Sequence, residues 1–375
     1  MSPVSLIVEI SATHSIIIPT ENKWLMETAL LPELNIADYL ENPHSSAGDN
    51  FVQQLRETCH DTGFFYLTGH GVKSENNDQV LDVANRFFAL PLPEREKLAI
   101  VNSPHFRGYT LLEQEMTNGV RDWRDQIDFG PDEPALPLKP DDPPWLRLRG
   151  PNQWPDSLPQ MRTTLNDWMT QMQFVGVTLV GALARGLGLG ADHFIERIIP
   201  DPYTRVKVIR YPAQPASGGT GQGLGLHHDS GILTMILQDE VNGLQVLCDD
   251  KLIDVEPRAG AFVVNLGEMM QSATGGYLRA TKHQVVSPPP GKQRISVAYF
   301  FNPRLESKFE PVTLPPDLDR HAIGGQNLDP TDPVFTTFGA NTLKIRMRAH
   351  PDVTSAHYAD VEFSSLTDNI GTDAV

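Results

Sequence analysis

Apolar positions along the chain change their period part-way through. Phe51, Val52, Leu55 and Cys59 recur at the three-to-four spacing of one helix face, behind a short strand pattern near Glu33, and Gly63 closes the run. "FFYLTGHGV" follows as a strand ended by a Gly-His-Gly turn, in which His70 is expected to be satisfied by backbone. A second helix pattern covers "NNDQVLDVANRFFAL" and stops at Pro91. The longest runs from about Gln160 to Leu187; Gly176 and Gly181 within it permit close packing, and "GLGLG" ends it. Between them, 131–159 is crowded with prolines and acids ("PDEPALPLKPDDPPW"), which predicts a long loop serving as a surface flap or pocket wall.

Beyond Asp201 the period shortens to two. "RVKVIRYP", "ILTMILQ", "GLQVLC", "LIDVEP", "GAFVVNLG", "KHQVVSPP" and "RISVAYFFNP" are short strand-like runs broken by Gly, Pro and Asp. Seven such runs predict an antiparallel sandwich or jelly roll, so the fold class is mainly β with flanking helices. The expected organisation is an extension over 1–30, a helical region with pocket loops over 31–200, and a jelly-roll core over 201–310. The helical region lends strands to that core, and 311–375 forms a C-terminal extension with one helix near "NTLKIRMRAH".

Composition narrows the function. With 40% apolar and 21% charged residues the chain can bury a core and is not globally disordered. A formal charge of −17 argues against nucleic acid as a partner and for a small-molecule substrate. The two cysteines, Cys59 and Cys248, exclude a disulfide scaffold or a four-cysteine zinc site and suit a reduced, cytoplasmic setting. Cys248 reads as a small buried hydrophobe. The N-terminus lacks the basic start of a signal peptide, no run is long enough for a membrane span, and a monomer is the expected state.

The chemistry gathers in "GLGLHHDSGILTMILQDE". In an extended strand alternate side chains share a face, so His227 and Asp229 point together and His228 points away. A third ligand must come from elsewhere, and His283 in "KHQVV" is the candidate with a β context, an ordinary strand histidine being the alternative. Two imidazoles and one carboxylate leave three positions of an ion free, the arrangement of non-haem iron(II) sites; zinc sites are more often closed. The preceding "SGGTGQGLGL" lacks the G-K-[ST] ending of a phosphate loop and reads as a hairpin loop at the site mouth.

Downstream, Arg294 and Ser296 in "RIS" share a face, and a guanidinium fork beside a hydroxyl is a receptor for a carboxylate. Tyr211 in "VIRYP" adds a phenol. Arg107 and Tyr109 in "HFRGYT", and Phe301 with Asn302 after the last strand, are candidate substrate contacts, weighed against structural pairing and packing. Trp123, Arg124 and Asp128 read as packing and ion-pair scaffolding.

With these segments in hand, the chain from about Leu31 to Pro303 resembles the iron(II)- and 2-oxoglutarate-dependent oxygenases, in the isopenicillin N synthase-like branch. "GFFYLTGHGV", "FFALPLPEREKLAI", "HFRGYT", "HHDSGILTMILQDEVNGLQV", "KHQVV" and "RISVAYFFNP" carry the likeness. It implies a double-stranded β-helix, a distorted jelly roll. His227, Asp229 and His283 would be iron ligands, and Arg294, Ser296 and Tyr211 would hold 2-oxoglutarate. The cofactors implied are Fe(II), 2-oxoglutarate and O2, with ascorbate as an auxiliary reductant. Members often carry Asn two residues before the tyrosine, where this chain has Ile209. The implied activity is hydroxylation, desaturation or cyclisation of a small molecule, in secondary metabolism, with release of succinate and CO2. Two rivals use the same residues. One is an iron oxidase like isopenicillin N synthase or aminocyclopropane-carboxylate oxidase that does not use 2-oxoglutarate; the other is a non-catalytic binding protein of the same fold.

Overall fold

The computed structural model describes residues 31–117, 119–214, 221–324, 335 and 337–362. The expected N-terminal extension, the glycine-rich stretch 215–220 and the ends of the C-terminal extension lie outside them. Fourteen strands occur among the described residues: β1 (Glu33–Asn35), β2 (Phe64–Thr68), β3 (Gly108–Thr110), β4 (Met116–Thr117), β5 (Val120–Arg121), β6 (Asp125–Phe129) and β7 (Arg205–Tyr211), then β8 (Gln222–His227), β9 (Leu233–Gln238), β10 (Leu244–Cys248), β11 (Lys251–Asp254), β12 (Phe262–Leu266), β13 (His283–Val286) and β14 (Arg294–Phe301).

Eight of them form one sheet in the order β1-β2-β12-β9-β14-β7-β6-β3. Four form a second, β11-β10-β13-β8, and β4-β5 is a separate hairpin. Pairing is antiparallel except between β1 and β2. Side chains from both sheets line one cavity, which is the distorted jelly roll. All seven runs read from period two are strands. The large sheet also takes β1, β2, β3 and β6 from before residue 200, so the barrel wall is built from both halves of the chain.

Parity decides which face each residue takes. Phe64, Tyr66, Ile209, Tyr211, Ile236, Val263 and Ala298 turn inward and form a small apolar cluster between the sheets. Their neighbours Phe65, Val208, Met235, Val264, Tyr299 and Phe301 turn outward into the main core, beneath the helices. The helix Gln160–Gly186 covers that outer face, and its Trp168 meets Tyr299 edge-on at 6.0 Å. Gly176 is needed for this contact: a Cβ there would stand 2.6 Å from the Phe301 ring. The helix Ser46–Asp61 starts on Ser45, whose hydroxyl accepts from the Gly48 amide.

The expectation of a pocket wall in the proline-rich loop needs correction. No residue of 131–159 lines the cavity. Instead Trp145 lies against Gly339, and the loop supports the helix Phe338–Ala349 from behind. That helix is the wall, presenting Phe338, Thr342, Ile345, Arg346 and Ala349 at helical spacing. No helix among the described residues is long and apolar enough to cross a membrane.

Candidate active site

The structure brings His227, Asp229 and His283 together: one ligand atom of each lies within 4.8 Å of the others. His227 and His283 are register partners across β8 and β13, with ring centroids 4.3 Å apart. β8 ends at His227, so Asp229 reaches the site from the turn beyond the strand. His228 is not part of that group: its Nδ1 lies 3.5 Å from the Glu268 carboxylate, and both line the same cavity.

Hydrogen bonds aim the donors. His227 Nδ1 donates to the Gly225 carbonyl at 2.8 Å, and His283 Nδ1 faces the Thr281 carbonyl at 3.3 Å. Each ring therefore keeps its Nε2 lone pair for an electrophile. Asp229 Oδ2 accepts from the Thr234 hydroxyl at 2.5 Å and the Asn265 amide at 2.8 Å. Its Oδ1 is left to face the imidazoles, 3.7 Å from His227 Nε2 and 4.0 Å from His283 Nε2. Burial and the neighbouring His283 push His227 down to about 3, so it is a neutral donor at ordinary pH. Burial opposes ionisation of Asp229, but the two imidazoles and the Asn265 and Thr234 bonds outweigh it and hold the carboxyl below its usual range. Two imidazoles and one carboxylate, gathered at one point, fit a divalent cation. Neither Thr234 nor Asn265 stands out in the sequence, because what makes them matter is a contact across strands.

Further along the same cavity, of about 370 Å³, stand Arg294, Ser296 and Tyr211. Arg294 and Tyr211 are register partners on β14 and β7, the guanidinium 5.2 Å over the phenol ring. Arg294 donates from Nε to the Val241 carbonyl at 3.1 Å and from Nη2 to Gln238 at 2.7 Å. Its Nη1 is buried with no protein partner. A fixed guanidinium with one donor to spare, beside a buried hydroxyl, fits a carboxylate.

Two family profiles match, one described as "non-haem dioxygenase in morphine synthesis N-terminal" over residues 31–157 and the other as the 2OG-Fe(II) oxygenase superfamily over 203–303. A 2-oxoglutarate-dependent dioxygenase, frbJ, of Dothideomycetidae sp. is 33% identical, covering 81% of this chain and 86% of its own. The chain belongs to the 2OG-Fe(II) oxygenase superfamily. It is an oxidoreductase that uses Fe(II) and 2-oxoglutarate. A homoarginine-6-hydroxylase of Glycine max is 31% identical to this oxygenase over 70% of the chain and 80% of the relative. Among solved structures, JOX2 in complex with 2OG, Fe and JA superposes with a TM-score of 0.65 at 26% identity, covering 85% of this chain and 86% of that one. A full-length Neurospora crassa protein crystallised with alpha-KG and thymine superposes with a TM-score of 0.65 at 22% identity, over 77% and 91% of the two chains, which bears on the fold.

Not every candidate residue of this oxygenase reaches the cavity. Arg107 is buried behind the wall, over the Tyr203 ring and near the Phe129 carbonyl. The Tyr109 hydroxyl is tied into a buried pair, donating to Asp125 at 2.7 Å and accepting from Arg95 at 2.6 Å. Phe301 points outward against Gly176, and Phe300 takes its place in the lining. Asn302 does line the cavity, packed against Gly231. Arg124 lines it too while pairing with Glu115 at 2.6 Å, and Asp128 pairs with Arg346 at 3.2 Å. Ile209, at the departure from the family pattern, is part of the lining.

Proposed function

We propose that His227, Asp229 and His283 are the iron ligands of this oxygenase, and that Arg294, Ser296 and Tyr211 receive the distal carboxylate of 2-oxoglutarate. Bound iron supplies the redox chemistry that couples O2 and 2-oxoglutarate to oxidation of a substrate C–H bond, giving succinate and CO2. The chain's residues supply position and charge. Thr234 and Asn265 fix one oxygen of Asp229 and leave the other for the metal. Val241 and Gln238 fix two arms of Arg294 and leave the third for the co-substrate. The apolar inner cluster keeps water from the space between.

The observation that carries this assignment is the unpartnered, buried Nη1 of Arg294 in the cavity that also holds the triad. A buried donor of that kind costs about 1–3 kcal/mol unless a ligand meets it. Relatives named as 2-oxoglutarate-dependent favour this reading over an iron oxidase that does without the keto acid or a non-catalytic binder. The substrate is a small organic molecule, as thymine and JA are in the matching structures. A cytoplasmic setting is supported by two unjoined thiols, Cys59 and Cys248, both pushed up by burial. The test is calorimetry of 2-oxoglutarate with Mn(II)-loaded protein, followed by succinate release from labelled 2-oxoglutarate with Fe(II). Binding that Arg294→Gln removes, with Mn(II) still bound, supports the assignment; wild-type protein that binds Mn(II) but no 2-oxoglutarate overturns it.

A further inference from the structure

At the far end of the cavity from Arg294 the lining is cationic. β7 alternates Arg205, Lys207, Ile209 and Tyr211 inward, and Arg124 and Arg346 approach from β6's side and the C-terminal helix. Carboxylates neutralise three of these four cations. Arg124 pairs with Glu115 at 2.6 Å and Asp122 at 3.3 Å, Lys207 with Glu115 at 3.3 Å, and Arg346 with Asp128 at 3.2 Å.

Arg205 is left over. Among the described residues no carboxylate stands at ion-pair distance from it, and its Nε is buried with no hydrogen-bond partner. Its guanidinium lies 4.7 Å from the centre of the Phe300 ring, which lines the cavity wall. Arg107, behind the wall, adds a second cation that meets only a ring and a carbonyl. Burial and the neighbouring Arg346 push the Arg205 guanidinium down to about 10, and Asp128, beyond ion-pair distance and already paired with Arg346, offsets that push only in part.

Strand register places this charge relative to the metal. Thr234, which holds Asp229, is the register partner of Phe300, and Phe300 is that of Arg205. Arg205 therefore lies on the same rung as Thr234, the residue that holds Asp229, two strand spacings or about 10 Å away. Arg294 lies six residues along β14 from Phe300, about 20 Å between backbones by strand rise, so the two arginines start from opposite ends of the inward row.

We infer that Arg205 is the anchor for a carboxylate on the organic substrate, so that this oxygenase acts on a small organic acid held across the cavity from the metal. The inference deepens the proposed function and rests on it. A single free fork matches a planar, singly charged group, two parallel N–H donors meeting two oxygens. The remainder of the acid lies over Phe300, Ala298 and Ile209, between the anchor and the triad.

The test uses the full chain loaded with Mn(II), with and without 2-oxoglutarate. Three acids, 3-phenylpropionate, indole-3-propionate and octanoate, are each titrated calorimetrically against their own primary amide. At least one acid is expected to bind about tenfold or more tightly than its amide, the worth of one charge-assisted pair. Arg205→Gln should bring that acid to the amide's level and leave 2-oxoglutarate binding unchanged. Because among the described residues no carboxylate stands at ion-pair distance from Arg205, the variant should also keep the wild-type melting temperature. Amides that bind as well as the acids, no binding by any of the three acids, or an acid preference that survives Arg205→Gln would each overturn the inference. So would a melting temperature lower by more than about 5 °C, which would make the arginine a structural ion. Failure of wild-type protein to bind 2-oxoglutarate would instead sink the co-substrate reading, and the acid-against-amide comparison would still be readable.

Discussion

Thr234→Val tests whether the metal site is built from behind. The substitution keeps the branched shape and removes one hydroxyl, which now donates to Asp229 Oδ2 at 2.5 Å. Asp229 Oδ2 would keep only the Asn265 amide, and the carboxylate could rotate its Oδ1 away from the two Nε2 atoms that it faces at 3.7 and 4.0 Å. A hydrogen bond to a charged group is worth about 1.5–3 kcal/mol. Because each 1.4 kcal/mol is a factor of ten, the expected loss is about 10–100-fold in metal affinity, the range in which partners behind a metal ligand usually act. The assay is Mn(II) binding followed by the paramagnetic resonance signal of the free ion, without co-substrate. Thr234→Ser restores the hydroxyl and should recover most of the affinity, whereas a cavity or packing effect would not be rescued. Mn(II) affinity of Thr234→Val within about threefold of wild type would refute the claim that Thr234 orients the ligand.

Asp229→Ala should abolish Mn(II) binding while His228→Ala keeps most of it, since His228 faces Glu268 and not the triad; the opposite ranking in the same resonance assay would undo the orientation argument. Arg294→Gln should raise the calorimetric Kd of 2-oxoglutarate by about 10–100-fold and leave Mn(II) affinity alone. Acid should unfold the protein partly through Glu115 and Asp128. Burial opposes their ionisation, but Lys207 with Arg124 for Glu115, and Lys207 with Arg346 for Asp128, outweigh it and hold both carboxyls below their usual range. Folded-state values that are depressed give stability that is full above the ordinary carboxylate range and lost as pH falls below about 4. Urea midpoints measured from pH 7 to pH 3 should drop accordingly. Glu115→Gln should flatten that curve and cost about 3–5 kcal/mol at pH 7, because Arg124 and Lys207 then lose a shared buried partner.

Period two made most of this molecule legible. It identified β7, β9, β10, β11, β12, β13 and β14, and the pairing of Arg294 with Ser296 on one face. The same alternation carried three steps further puts Ala298, Phe300 and Asn302 inward and excludes Phe301, whose ring packs on Gly176. His227 and Asp229 share a target although Asp229 lies beyond the last residue of β8, so the alternation pointed the right way for a turn whose shape it could not describe. What stayed hidden is non-local. Thr234 and Asn265 matter only because β9 and β12 pair and bring both onto Asp229. A cation in a strand is ordinarily solvated, so nothing in "RVKVIRY" marks Lys207 as inward until Glu115 and Asp128 are placed beside it.

The position of the two unpaired arginines follows from how a two-sheet barrel is closed. The proposed metal ligands come from the small sheet and the turn after β8, where His227 and His283 pair across strands. The anion-binding side chains come from the large sheet, on β7 and β14, which face them. On this proposal a ligand carboxylate is drawn to the wall opposite the iron ligands, at one end by Arg294 and at the other by Arg205. If both arginines meet ligands, exchanging their charges should have separable effects: Arg294→Gln should act on the keto acid and Arg205→Gln on the organic acid, with no coupling between them in a double-mutant cycle. Sites this far apart, with no shared partner, should be additive within about 0.5 kcal/mol. Coupling well above that would mean that one ligand touches both arginines and would refute two separate anchors.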